Sequence, residues 1–155
     1  MFIRFFFSNG LVLFFAIWLD FLSETVIWLL FYNSLRFFIG GNHAKTFIRC
    51  LVGGTLFSIV CISLTKTLVG IKGVLLFECI FSILVTFFLS PVVHPNRALS
   101  QIEIERKSKI GKVIVLAETI LVIIISNAWN TNLGQSAALG MTSAAALCVL
   151  GKISR

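Results

Sequence analysis

Val74-Leu-Leu-Phe-Glu78-Cys-Ile-Phe-Ser-Ile-Leu-Val-Thr-Phe-Phe-Leu89 carries a single charge along its whole length. Such a run suits a helix buried among apolar neighbours or a short span in lipid, and the rest of the chain decides between the two. Of 155 residues, 58% are hydrophobic and 12% are charged, with a mean hydropathy of +1.02. Soluble domains carry charge on about a quarter of their residues, and a chain this poor in charge cannot cover a globular surface in water. Lipid is therefore the solvent for much of it. In hydrocarbon every backbone donor and acceptor must be satisfied internally, and open sheet edges are excluded. The run reads as a helix.

The same reading extends outward in both directions. Further apolar runs lie at about 5–19, 21–39, 51–64, 113–129 and 133–150. They predict an all-α, polytopic integral membrane protein of about six short transmembrane or membrane-embedded helices, in one membrane domain over 1–155. Several runs fall short of the roughly 20 residues that cross a bilayer without strain, so tilted helices or five full spans also fit. Asp20, Ser23 and Glu24 divide the first long stretch into a hairpin with an acidic turn. Polar stretches at 40–50 and 91–112 are expected to be loops. Met1 to Leu19 lacks the small-residue cleavage site of a signal peptide and is expected to stay as the first helix.

Basic residues orient the chain. With the N-terminus inside and six crossings, Arg4, Arg36, Lys45, Arg49, Arg97, Arg106, Lys107, Lys109, Lys112, Lys152 and Arg155 fall inside, and only Lys66 and Lys72 outside. Cytoplasmic loops carry such an excess, which turns both polar loops towards the cytoplasm. Trp18, Trp28 and Trp129 then fall near outer span ends, where an interfacial indole is expected. The last run places Ser136, Gly140 and Ala144 four apart, a spacing that lets helix backbones approach closely in lipid, and packing within the chain is favoured over packing between chains.

The net charge of +7, from 13 Lys+Arg against 6 Asp+Glu, would raise nucleic-acid binding in a soluble protein. Here the cations cluster between apolar runs without the aromatic interleaving of a recognition module, so no nucleic-acid partner is expected. No C-x-x-C pair appears among the four cysteines, which argues against a disulfide framework or zinc ribbon. Cys61, Cys79 and Cys148 sit inside apolar runs as small hydrophobes. Cys50 alone sits in a polar, basic stretch.

That stretch reads Arg36-Phe-Phe-Ile-Gly-Gly-Asn-His43-Ala-Lys-Thr-Phe-Ile-Arg-Cys50. A cysteine peptidase needs a thiolate nucleophile and a histidine that takes its proton and later protonates the leaving amine. Arg36, Lys45 and Arg49 favour the thiolate over the thiol, and a reducing cytoplasm keeps it free. On an unbroken helix His43 and Cys50 would be about 10.5 Å apart along the axis, too far for a hydrogen bond. A break is required, or a helix that starts after His43, with Gly40-Gly41 supplying freedom upstream. A metal site on His43, Cys50 and His94 is the competing use of these residues, but their spacing matches no zinc motif. No metal or cofactor is expected.

The pattern Leu35-Arg36-x-x-x-Gly40-Gly41-x-His43-Ala44-x-x-x-x-x-Cys50 resembles the signature of the accessory gene regulator B family, bacterial membrane peptidases of quorum sensing. Pro91-Val-Val-His-Pro-Asn-Arg97 resembles that family's proline-containing cytoplasmic loop. The resemblance implies a cysteine endopeptidase that cuts a small autoinducer propeptide, with Cys50 as nucleophile and His43 as general base and acid. The acyl-enzyme can pass to an internal nucleophile to give a cyclic product. It also implies a homodimer. The polar N-terminal stretch usual in the family is short here. Arg49, Arg97 and Lys107 are candidate contacts for an acidic propeptide segment. Glu78 and Glu118 lie inside apolar runs, where charge is costly enough to suggest function; pairing with loop cations or facing a polar cleft are both open. They support an alternative, a small dimeric proton-coupled transporter using Glu78 or Glu118. A non-catalytic membrane partner is a third reading, and predicts an unreactive Cys50.

Overall fold

The computed structural model describes residues 2–40, 47–71, 73–92 and 100–153, with the backbone alone at 2–6, 47, 49 and 50. Among the described residues the chain is helical: α1 (Phe2–Trp18), α2 (Leu22–Ile39), α3 (Phe47–Leu68), α4 (Val74–Leu89), α5 (Gln101–Ala128) and α6 (Thr131–Ile153). One isolated parallel bridge, between Gly40 and Val92, is the only β pairing among them.

The exterior is apolar. Phe88 is 78% exposed and Ile120 59%, while Ser82, Thr86 and Thr65 are wholly buried. A surface of this kind suits lipid and not water. By length and composition Leu51–Leu68, Gln101–Ala128 and Thr131–Ile153 can cross a membrane, whereas Phe7–Trp18 and Val74–Leu89 are shorter apolar helices. At 1.5 Å per residue, the 16 residues of α4 reach about 24 Å, short of a hydrocarbon core of about 30 Å.

α2 and α6 form the central pair. Two apolar clusters flank it. On one side Phe31, Leu35 and Ile39 of α2 and Ala137, Met141 and Ala144 of α6 meet α4 and α5; on the other, Trp28 and Leu139 meet Val12 of α1 and Ile62 of α3. The small residues of α6 make the central contact. A Cβ on Gly140 would stand 2.7 Å from the Trp28 carbonyl oxygen, so α2 and α6 approach at the glycine limit. α6 is thus buried within its own chain, as expected from its sequence.

Four expectations change. The stretch 91–112 is not one loop, because α5 starts at Gln101. Its start is fixed by a capping box, in which Ser100 Oγ accepts from the Glu103 N–H and Glu103 Oε2 accepts from the Ser100 N–H at 2.9 Å, satisfying donors that a helix start leaves open. The stretch 40–50 likewise ends inside α3. At its far end α3 runs past residue 64, because Thr65 Oγ1 accepts from Ser136 Oγ and Lys66 Nζ lies 4.1 Å from the Phe21 ring centroid. Finally, Trp28 is not interfacial. Trp18 and Trp129 are 79% and 84% exposed, but Trp28 is fully buried and stacks on Tyr32 with ring centroids 4.6 Å apart.

Candidate functional site

Packing neighbours give the helix directions. Ser34 pairs with Glu118 and Ile39 packs on Gly111, so α2 and α5 are antiparallel. Trp28 lies by Gly140 and Ile39 by Cys148, so α2 and α6 run the same way. The C-terminal ends of α2, α4 and α6 therefore gather at one end of the bundle, with the N-terminal part of α5. The segments 41–46 and 93–99 start from that end.

The junction there is specific. α2 ends when Gly40 turns to φ 74°, ψ −156°, its N–H still donating to the Arg36 carbonyl at 3.1 Å. The Ile39 carbonyl then accepts from the Val92 N–H at 2.9 Å and from the Cys148 thiol at 3.8 Å. Val92 is buried with Leu35 and Ile39, and Gly111 of α5 lets the helix lie against Ile39, Phe38 and the Ser90 hydroxyl.

Of the expected pair, His43 lies outside the described residues, and so do His94, Lys45 and Arg97. Cys50 and Arg49 lie on α3, whose first described residue is Phe47. α2 ends at Ile39, before His43, so it does not continue unbroken into the helix that carries Cys50. Lys107 stands on helical α5 with its Nζ 5.5 Å from the Phe37 ring centroid, and Lys112 Nζ is 5.3 Å from that of Phe87. Cations over aromatic faces at a membrane edge anchor a helix at its interfacial depth.

The two intramembrane carboxylates face inward and pair with neutral groups. Glu78 Oε2 accepts from Gln135 Nε2 at 2.6 Å, and Glu118 Oε1 accepts from the Ser34 hydroxyl. Expected pairing with loop cations is not seen among the described residues. Glu78, Ser82, Thr86 and Ser90 recur every fourth residue on α4, which puts them on one face; the first three are buried there. That periodicity was available in the sequence, but the partner Gln135 was not.

An apolar exterior, buried polar contacts between helices and a gathered set of helix ends define a polytopic helical membrane protein. The family model described as accessory gene regulator B (AgrB) matches residues 1–150, nearly the whole chain, and the protein belongs to that family. This places it in the accessory gene regulator quorum-sensing system, whose B proteins are described as processing proteases for autoinducer propeptides. No curated protein and no solved structure matches the chain.

Proposed function

We propose that this protein is a membrane-embedded cysteine endopeptidase that cleaves a small autoinducer propeptide, with Cys50 as nucleophile and His43 as general base and acid. It acts as one membrane unit over residues 1–155, multi-pass in a bacterial plasma membrane, with the catalytic loop on the cytoplasmic side. The observation that carries this reading is the family match over residues 1–150, a span that includes His43 and Cys50. α2 ends at Ile39, before His43, and Cys50 lies on the separate helix α3, with Arg49 adjacent and Arg36 and Lys45 near in sequence as cations that favour a thiolate. The Gly40–Val92 bridge adds support by joining the two segments that carry the family-like sequence patterns.

In the first step His43 takes the Cys50 proton and the sulfur attacks the scissile carbonyl. Collapse of the tetrahedral species breaks the C–N bond, His43 returns the proton to the leaving amine, and a thioester remains on Cys50. Water then releases a carboxylate, or an internal nucleophile of the peptide releases a ring. Arg49, Arg97 and Lys107 are placed on the cytoplasmic side to attract an acidic substrate segment, and two copies of the chain assemble as a dimer.

The test is co-expression of a tagged propeptide, from a small reading frame beside the gene, with wild type, Cys50→Ala, His43→Ala and Glu118→Gln. Cleavage should disappear in the first two variants and persist in Glu118→Gln. Cleavage that survives Cys50→Ala overturns the assignment, and selective loss in Glu118→Gln favours the proton-coupled alternative.

A further inference from the structure

We propose that the Ile39–Gly40/Pro91–Val92 clasp is the positioning element of the active site, and that Gly40 and Val92 act through it by setting where the His43 segment leaves α2. This rests on the dyad reading and extends it to residues outside the dyad.

Gly40 is the last described residue before the segment that carries His43, and three peptide units separate them. Its φ of 74° with ψ of −156° belongs to a region that only glycine occupies without strain. Asparagine, which tolerates the left-handed helical region, gains nothing here. Space is closed as well, because a Cβ at Gly40 would collide with the Val92 carbonyl oxygen. The other half of the clasp is fixed independently. Val92 is 8% exposed within the α2/α4/α5/α6 core, and its N–H is bonded to Ile39, itself wholly buried. A side chain at Gly40 must therefore shift Gly40 itself, since the strap against it is anchored in the core. Displacement of a general base by about 1 Å can cost on the order of a hundredfold in rate.

Gly10 is the matched control. It lies on α1 with nothing within 4 Å of an added Cβ and an ordinary helical φ.

The experiment uses the full-length protein in detergent micelles. Gly40→Ala, Val92→Ala, Gly10→Ala and His43→Ala are compared for propeptide kcat and KM, and for the pH profile of Cys50 alkylation by iodoacetamide with the other cysteines replaced. Gly40→Ala should lower kcat by tenfold or more with KM within twofold, and its alkylation profile should move onto that of His43→Ala. Val92→Ala, which keeps the N–H bond but loosens the strap, should shift both in the same direction by a few-fold. Gly10→Ala should match wild type. Cleavage by Gly40→Ala within twofold of wild type overturns the proposal, as does a lowered kcat with an unchanged alkylation profile. If Gly40→Ala fails to fold, Val92→Ala decides, and a wild-type profile in it counts against the clasp. A His43→Ala variant that cleaves normally removes the dyad itself, and the clasp with it.

Discussion

Gly140 shows how much of this fold rests on single atoms. An added methyl would meet the Trp28 carbonyl oxygen at 2.7 Å and the Phe31 Cβ and Tyr32 nitrogen at 3.2 Å. Two of those three neighbours are backbone atoms, so relief requires separating α2 from α6. Overpacking of this kind costs about 1–3 kcal/mol, and Gly140→Ala should lower the thermal midpoint in detergent, while Gly10→Ala should hold or raise it. The cysteines divide in the same way. Cys61, Cys79 and Cys148 are buried in the helix interfaces. Replacing all three with alanine should preserve cleavage and leave a single site for a bulky maleimide, at Cys50. Labelling that persists in Cys50→Ala would contradict this.

At the scale of the helix, α5 is the instructive case. Its charged first part and apolar second part form one continuous helix, although hydropathy alone divides them at Val113. The signal that would have joined them, Ser100-Gln-Ile-Glu103, is a capping box legible in the sequence. Ser100→Ala should destabilise that end by about 1 kcal/mol, seen as faster amide exchange at residues 101–104 with the exchange of residues 115–125 unchanged. Helix class and approximate spans were readable because charge is scarce and local. Which carboxylate meets which donor was not readable, because Glu78–Gln135 and Ser34–Glu118 join helices far apart in the chain. Trp28 misled for a related reason, since an indole on the buried face of α2 has the same letter as one at an interface. The Glu78–Gln135 bond ties α4 to α6, and a double-mutant cycle with alanine at both sites should give a coupling of about 0.6–1.7 kcal/mol, the range met between membrane helices. Zero coupling would mean the pair stabilises nothing.

The whole molecule is a central α2/α6 pair with two flanking cores, and the C-terminal ends of α2, α4 and α6 lie together at one end. That arrangement makes an orientation prediction. With the basic segments inside, a cysteine at Ile71 should react with an impermeant reagent added to whole cells, and a cysteine at Gln101 should react only after the membrane is opened. The position of Cys50 was legible as a type of residue in a type of setting, but the pairing of Gly40 with Val92 was not, because a parallel bridge between distant segments leaves no mark on local sequence. The central claim is that Cys50 carries the acyl group during propeptide cleavage, and rapid quenching with mass analysis of the Cys50 peptide tests it most directly. A hydroxylamine-sensitive adduct of the propeptide fragment on that peptide, absent from Cys50→Ala, is the predicted result. Cleavage at the wild-type rate in Cys50→Ala, with no such adduct on the wild-type enzyme, would contradict it.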